Sequence, residues 1–412
     1  MQTLWTGLVG ALAMAGSASW GQAIETGGQV RLEWTQAQAG ALGPVAQANA
    51  LQSGLVAEPD SGATLETELR ASGHGLTAVA TLQQQRWETR TVDGRAWMNE
   101  LYASHDADSW QLSAGKKIVG WDVGYGFRPN DMVQQENRRT LVGTTLEGRP
   151  LLLAEHFDAS AAWSFVAVNP TGDRHDLGAK EPALLARYYR RSGAADWYGF
   201  ARSADRTGAS MGAAVAWVAD ESLELHGSVR HAARMDGTAF SSPASALTSS
   251  NPWQAQVQEG VTQALLGATW TNADQISVLA ELWWDGSAAS DAQWDAWSER
   301  NQQLAALTNH GAPAAAVAGN LAWQTQAFGA ASSLRRSNVL LRLSWQNGAW
   351  QPALDVLFTP ADQGRIVTAS LTWQGDRVQV QAGVRANGGP ENAVIAQLPV
   401  RSTAYVMASW SF

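Results

Sequence analysis

The segment from Gly115 to Arg139 concentrates glycines and charges of both signs, residue types that together can act on a small charged solute. Its carboxylates and guanidinium groups are Asp122, Arg128, Asp131, Glu136, Arg138 and Arg139. Glycine lets a chain fold tightly inside a confined space, and opposed charges beside a narrow water-filled passage impose a transverse field on a passing ion. An ordinary surface loop with balanced charge has the same composition, so both interpretations stay open.

Other kinds of site chemistry find little support in the residue types. The chain has no Cys and seven His, and no His has a Ser or Asp neighbour in a recognisable nucleophilic motif. The sequence contains no His-x-x-x-His pair, which would suggest a metal site. His226 and His231 fall on opposite faces of one predicted strand. The glycines after Lys117 do not lead into a helix that bears Lys-Ser or Lys-Thr, as a phosphate-binding loop would. We therefore predict no catalytic site, no metal site and no cofactor.

These residues lie in a chain whose apolar and polar residues alternate over many short segments, the pattern of β-strands with two different faces. The predicted strands cover 28–36, 64–73, 76–88, 97–105, 109–118, 146–157, 161–168, 183–191, 196–203, 209–218, 222–232, 260–271, 275–285, 337–346, 349–358, 365–374, 376–386 and 402–412. Tight turns and longer connections separate them alternately. This pattern predicts an all-β fold, a transmembrane antiparallel up-and-down β-barrel of about eighteen strands, within 16 to 18, with short periplasmic turns and long extracellular loops.

Composition limits the setting of this barrel. No apolar run after residue 23 approaches the roughly 18 residues of a membrane-spanning helix, whereas alternating strands can cross a membrane with one face toward lipid and the other toward water. The net charge of -9, with Lys and Arg neither in excess nor clustered, argues against nucleic-acid binding. The absence of Cys suits a large exported protein that folds without disulfides.

Where alternation is clean, the phase of a strand assigns each side chain to the outer or the inner face of the barrel. In the segment 376–386, for example, Val378, Val380 and Val384 face outward. The charged or ionisable residues that this phase turns toward the lumen are Arg31, Glu33, Glu66, Glu68, Arg70, Glu224, His226, Arg230, Glu281, Arg342, Arg377 and Arg385. A lumen of this width with such side chains is wetted. The same charges could instead pair and brace the wall, and the sequence does not separate the two roles.

Tryptophans predict where the two boundaries between water and lipid lie. On this topology the short-turn ends of the strands carry Trp110, Trp163, Trp197, Trp217, Trp270, Trp345, Trp350, Trp373 and Trp410. The opposite ends carry Trp34, Trp87, Trp97, Trp283 and Trp284. Two rings of amphipathic indoles are typical of the aromatic girdles of a membrane barrel.

Residues 402–412 alternate without interruption and end on an aromatic residue, with Val406, Trp410 and Phe412 on the apolar face. This ending resembles the C-terminal assembly signal of Gram-negative outer-membrane β-barrels, which the barrel-assembly machinery recognises. The resemblance implies that Trp410 and Phe412 form the assembly signal and that outer-membrane lipid surrounds the barrel. Residues 1–23 combine a short apolar stretch with a small-x-Ala cleavage site, which predicts a secretory signal peptide before a single barrel domain over 24–412.

The segment after Lys117 enters the third long connection, between the fifth and sixth predicted strands. In classical trimeric porins and sugar-selective barrels, the loop at this position folds into the lumen and forms the constriction. A basic strand end followed by Trp, Gly and Pro-x-Asp is also similar to substrate-specific and export-type channels. The resemblance implies a porin-like outer-membrane channel that passes small hydrophilic solutes, with the six charged residues of this segment at its constriction. It leaves a homo-oligomer open.

Other functions remain open as well. An export barrel for a polysaccharide or another polymer would be expected to have a lumen strongly polarised in charge, whereas the predicted lumen is mixed. An outer-membrane enzyme would be expected to be a smaller barrel with a catalytic motif, and a surface-binding or scaffold barrel remains a further alternative. A TonB-dependent receptor is disfavoured because it needs 22 strands and an N-terminal plug domain.

The longest connection, 286–336, contains a predicted amphipathic helix over 291–307. Asp291 is its predicted N-cap, and Trp294, Trp297, Leu304 and Leu307 fall roughly on one side. A connection of this length is usually functional or disordered. The sequence allows it to cover the pore, pack on the rim or contact a partner.

Overall fold

The computed structural model describes residues 24–89, 92–135, 145–173, 175–241, 243–329 and 331–412. The predicted signal peptide, residues 1–23, lies outside the described residues, as do Glu136, Arg138 and Arg139 of the predicted constriction. Within the described ranges, no helix has both the length and the apolar character needed to span a membrane.

Eighteen antiparallel strands, each paired with its neighbours in sequence, form one sheet that closes on itself because β1 also pairs with β18. The strands are β1 (Glu25–Ala39), β2 (Gly62–Gly73), β3 (Leu76–Trp87), β4 (Asp93–Ala107), β5 (Trp110–Lys117), β6 (Arg149–Phe157), β7 (Ala161–Val168), β8 (Ala183–Ser192), β9 (Ala195–Ala204), β10 (Gly208–Val218), β11 (Leu223–Phe240), β12 (Trp253–Thr271), β13 (Ile276–Asp285), β14 (Ser337–Trp345), β15 (Trp350–Thr359), β16 (Gly364–Gln374), β17 (Val378–Gly388) and β18 (Val400–Ser411). This closed up-and-down barrel confirms the predicted fold class and strand number.

The two ends of the barrel differ in their connections. The connections after even-numbered strands contain at most four residues each, and we call the end that carries them the short-turn end. One of them places His74 and Gly75 at φ of 53° and 75°, the left-handed pair that a two-residue hairpin turn requires. The opposite, long-loop end carries the connections 40–61, 118–148 and 286–336. Loop length is therefore largely sorted by side, as predicted. Two connections at the long-loop end that were predicted to be longer, 205–207 and 360–363, contain only three and four residues.

One hairpin is longer than predicted. Strands β11 and β12 stay paired from Leu223 and Trp270 up to Phe240 and Trp253, whereas the sequence predicts that pairing ends near residues 232 and 260. The added part of β12 still alternates, with Trp253, Ala255 and Val257 at one phase and Gln254, Gln256 and Gln258 at the other. The predicted boundary is therefore wrong although the period of two continues beyond it.

The outer face of the barrel is apolar and exposed. Leu184 and Leu266 are 66% and 63% exposed, while their inward neighbours Leu185 and Leu265 are buried. In β18, Val406 and Trp410 point outward and Met407 points inward, as alternation predicts.

The tryptophan girdles are confirmed only in part. At the short-turn end eight of the nine predicted indoles are exposed, namely Trp110, Trp163, Trp197, Trp217, Trp270, Trp345, Trp350 and Trp410, and Trp373 is half-buried. At the long-loop end Trp34 and Trp284 are exposed. The prediction is wrong for three others. Trp87 and Trp97 line a cavity inside the barrel, and Trp283 is buried elsewhere inside the barrel. Their strand phase is inward, which position along a strand does not reveal.

Three helices pack together at the long-loop end: α1 (Gly43–Leu51), α2 (Asp291–Leu307) and α3 (Ala314–Gln324). Ala48, Leu304, Val317 and Leu321 form their shared core, and Trp294 and Trp297 of α2 pack on Ile395. We call this assembly the helical cap. The predicted helix over 291–307 is confirmed, but its N-cap is Ser290, not Asp291. Ser290 and Gln293 form a reciprocal capping box, which Asp291 in the first turn cannot make.

Candidate functional site

The segment 119–135 of the third long connection lies inside the barrel and packs on its inner wall. Trp121, Met132 and Val133 are buried against inward side chains of neighbouring strands. The wall residues in this cluster are Leu151, Leu153, Val166, Val168, Ala183, Leu185, Phe200 and Ala214. Burying these apolar side chains on both partners stabilises the contact. We call residues 119–135 the inner loop.

The tip of the inner loop is held by one buried carboxylate. Glu281 of β13 accepts hydrogen bonds from the backbone N–H of Tyr125 at 2.6 Å and of Gly126 at 2.7 Å. The Nε2 atom of His226 lies 2.9 Å from the same carboxylate. Glu281 is 1% exposed, so its lone pairs depend on these partners. A side chain at Gly126 would meet Leu340 at 2.7 Å, which explains the small residue there.

A second anchor holds the middle of the inner loop. The Asn130 amide donates to Ser228 Oγ at 2.8 Å and to the Val229 carbonyl at 3.1 Å. Asp122 accepts the Asn130 backbone N–H at 2.5 Å and the Ser228 hydroxyl at 3.0 Å. Burial raises the pKa of Asp122, although these hydrogen bonds and Arg128 oppose the shift. The loop is thus tied to β10 and β11 as well as to β13.

Aromatic contacts complete the docking. Phe127 stacks on Trp283 with ring centroids 5.7 Å apart, and both belong to a buried cluster with Leu265 and Leu340. On the opposite side of the loop, the Arg342 guanidinium lies 5.6 Å from the Tyr125 ring. The inner loop therefore contacts the wall on one side and faces the remaining lumen on the other.

The remaining lumen beside the inner loop is a cavity of about 700 Å³, which we call the basic chamber. Arginines and fewer aspartates line it: Arg31, Arg128, Arg230, Arg342 and Arg385 with Asp131, Asp236 and Asp355. Leu334 and Ile395, from the loops of the helical cap, lie at its long-loop side. A passage of this kind, with low-dielectric walls, concentrates the field of fixed charges on a solute.

The charges predicted for the constriction take different places. Arg128 and Asp131 line the basic chamber, and the Arg128 Nε atom donates to the Gly124 carbonyl at 2.8 Å. Asp122 is used within the second anchor. The structure thus brings Arg128 and Asp131 to the lumen, while Asp122 holds the loop in shape.

The wall charges predicted to face the lumen are largely paired. Arg31 binds Glu66 at 2.8 Å, Arg70 lies 3.5 Å from Glu68, and Glu224 lies 4.0 Å from His226 Nδ1. Of these contacts, the largely buried Arg31–Glu66 pair braces the wall at a desolvation cost. Glu33 lines a separate cavity along β1 to β4.

Three other arginines were predicted to face the lumen. Two of them donate hydrogen bonds to wall hydroxyl groups, and one lies outside the wall. Arg230 donates to Ser210 at 3.2 Å, and Arg385 donates to Thr368 at 3.0 Å. Arg377 lies in the turn before β17 and is exposed, so it is not part of the strand wall. The predicted strand starts two residues too early: Arg377 has the inward phase of Gln379, but Asp376 is charged at the outward phase and breaks the alternation.

Several residues of the site are missing from the sequence prediction. The Nη1 atom of Arg342 donates to both carboxylate oxygens of Asp355, at 2.8 and 2.9 Å, across the β14–β15 hairpin. Asp355 has the inward phase of β15 and lies directly opposite Arg342. Strand alternation could therefore have predicted this contact. Asn130 and Tyr125 carried no such signal, because loop residues have no strand phase.

Comparison with known proteins identifies likeness in fold. No protein-family model matches this chain, and no curated protein sequence matches it. Among solved structures, Pseudomonas aeruginosa OccK5 (OpdH) is similar at a TM-score of 0.52 with 8% identity, over 94% of this chain and 98% of that chain. A triple mutant of Rhodopseudomonas blastica porin aligns at a TM-score of 0.43 with 11% identity, over 95% and 100% of the two chains. The chain therefore shares the barrel fold of OccK5.

Proposed function

We propose that this protein is an outer-membrane channel that passes small hydrophilic solutes. The observation that carries the proposal is the inner loop, which is anchored inside the barrel and leaves a charged passage beside it. In a barrel of eighteen strands the enclosed space exceeds what wall side chains fill. A loop fixed across this space narrows the passage without closing the lumen with a folded domain.

The apolar exterior supports the membrane setting. Closing the sheet leaves no strand edge without partners, which a barrel in lipid requires. In such barrels the short turns face the periplasm and the long loops face outward, so we place the helical cap on the cell surface. Export of a polymer remains the alternative, but the basic chamber contains aspartates as well as arginines and is not lined by one sign of charge.

Channel activity is tested directly by recording purified protein in a planar lipid bilayer. We expect stepwise single-channel currents, and replacing Arg128 and Arg385 with Ala should shift the reversal potential toward cation selectivity. Arginine charges beside a passage with low-dielectric walls attract anions more strongly than they would in bulk water. Arg377→Ala is the matched control, because this exposed turn residue lies outside the chamber.

Folded protein, confirmed by heat-modifiable migration in electrophoresis, that gives no current would contradict the proposal. A shift of equal size in Arg377→Ala would assign selectivity to overall charge instead of the chamber.

The membrane setting makes a separate prediction for Leu266, which is 63% exposed on the outer face of β12. It lies five residues from the end of the strand at Thr271, near the middle of the apolar band. Leu266→Arg should lower the free energy of unfolding in lipid vesicles by roughly 2–4 kcal/mol, because a charge is placed in hydrocarbon. Trp270→Arg, at the boundary, should cost about 1 kcal/mol or less in charge burial beyond the lost indole contacts. Equal costs in detergent and in lipid for Leu266→Arg would show that lipid does not contact this face.

A further inference from the structure

A second cavity, of about 740 Å³, extends along the inner faces of β1 to β4. Strand pairing arranges its wall in rows. One row contains Arg31, Glu66 and Gln83, and the next contains Glu33, Thr64 and Gln85. Pro59, Asp60 and Pro399 line it at the long-loop end, and it shares Arg31 with the basic chamber. We call this cavity the acidic chamber.

Among the described residues that line the acidic chamber, carboxylates outnumber cations. Glu33, Glu58, Asp60 and Glu66 line it together with two guanidinium groups, those of Arg31 and Arg95. Both arginines already bind carboxylates, Arg31 to Glu66 at 2.8 Å and Arg95 to Glu147 at 2.7 Å. Among the described residues the Glu33 side chain forms no hydrogen bond and no ion pair, although the charge of Arg31 acts on it. A half-buried carboxylate facing water and low-dielectric walls attracts a cation.

Two indoles add a second attraction for cations. Trp87 and Trp97 both face this chamber, and the Arg95 guanidinium already lies 4.6 Å from the ring of Trp97. Trp87 lies against Gly62, where a side chain would approach the indole to 2.8 Å, so the glycine leaves room for the ring. Indole faces bind ammonium and guanidinium groups in preference to neutral or anionic ones.

The described lining of the acidic chamber suits an extended solute better than a small metal ion. The described residues contain no group of three or more His, Asp or Glu side chains close enough to hold one. Glu33 and Trp87 are two strands apart and two residues apart along the strands, about 12 Å by the spacing of a sheet. An elongated solute with a spread positive charge can contact both positions, whereas a single ion cannot.

From this arrangement we infer that the acidic chamber binds organic cations of the ammonium or guanidinium class, with Glu33 and Trp87 as the selecting residues. The inference rests on the proposed channel function, because it makes the acidic chamber a binding site for a solute inside the barrel. The cavity is of the size that small-molecule sites usually have.

The test is calorimetric titration of the purified barrel in detergent micelles with arginine amide, which carries both a guanidinium and an ammonium group. Wild-type protein should bind it, and should bind neither glutamate nor sorbitol at the same concentrations. Glu33→Gln and Trp87→Leu should each weaken binding about tenfold. Two controls should remain within about twofold of wild type: Glu68→Gln, an inward carboxylate that does not line the chamber, and Trp34→Leu, an outward residue beside Glu33.

The outcomes separate this inference from the proposed function. Absence of arginine amide binding, tighter binding of glutamate, or equal weakening by Glu68→Gln would overturn the inference, even if the protein conducts ions. Binding with the expected variant pattern would support it even if bilayer recordings showed no current, a result that would contradict only the channel function. Heat-modifiable migration of each variant establishes that it is folded.

Discussion

Replacement of residues 121–133 by a short Gly-Ser linker should raise the single-channel conductance about twofold or more, because the inner loop occupies part of the lumen cross-section. The anchors at Glu281 and Asn130 hold the wild-type loop against β10 to β13. Without the loop, ions cross a wider aqueous space. Recordings in planar bilayers at fixed salt measure the effect.

A point variant gives a graded form of the same experiment. Glu281→Ala removes the acceptor of the Tyr125 and Gly126 N–H groups, so the loop tip should detach intermittently and the current should fluctuate between two levels. Glu224→Ala is the matched control, since Glu224 also faces inward and lies near His226 but accepts no hydrogen bond from the loop among the described residues. Conductance unchanged by linker replacement, in protein that is still heat-modifiable, would show that the loop does not narrow the conducting path.

Glu181→Ala should lower the free energy of unfolding by roughly 3–5 kcal/mol, the cost of leaving a buried charge without its partner. Glu181 accepts hydrogen bonds from the Arg202 guanidinium at 2.9 Å, from the Thr207 hydroxyl at 2.7 Å and from the Thr207 N–H at 2.9 Å. The Glu181 and Arg202 side chains are 1% and 3% exposed. Urea unfolding in detergent micelles measures the loss.

The pH dependence of this effect follows from the same contacts. Burial alone would raise the pKa of Glu181, but the hydrogen bonds from Thr207 and Arg202 outweigh it and lower that pKa from 4.5. A lowered pKa in the folded state contributes stability above the unfolded value, and this contribution is lost as pH falls through the folded value. The difference between wild type and Glu181→Ala should therefore shrink below about pH 4.5.

Two controls define the interpretation of the Glu181 experiment. The double variant Glu181→Leu with Arg202→Met removes both charges and should restore most of the stability. Glu68→Ala breaks an exposed pair with Arg70 at 3.5 Å and should cost about 1 kcal/mol or less. If Glu181→Ala cost no more than Glu68→Ala, the buried network would contribute little to stability.

The barrel wall was predictable because its physics is local and repetitive. A strand that contacts lipid on one side and water on the other must alternate, and a slip of one residue would reverse both faces. The strand β18 shows this directly, with Val406 outside and Met407 inside. In the upper part of the β11–β12 hairpin the alternation continues past the predicted boundary, and that boundary is wrong.

From the sequence, the position of the inner loop inside the barrel could be predicted only as one of two alternatives. Its charges and glycines are compatible with a surface loop or a constriction, and nothing local separates these placements. The contacts that decide between them join residues far apart in sequence, such as Gly126 with Glu281 and Asn130 with Ser228. Their energy depends on a cavity that exists only after the barrel closes.

The sequence thus predicted about eighteen strands, the closed antiparallel topology and the face on which most wall residues lie, because an apolar outer face imposes a period of two. Which charges are paired and which line a cavity could be learned only from the three-dimensional structure. Arg342 donates a hydrogen bond to Asp355 across a hairpin. Glu33 of β1 and Trp87 of β3 line the same cavity. Strand phase predicts that such side chains face inward, but charge pairing and cavity shape depend on the distance between side chains of different strands and loops.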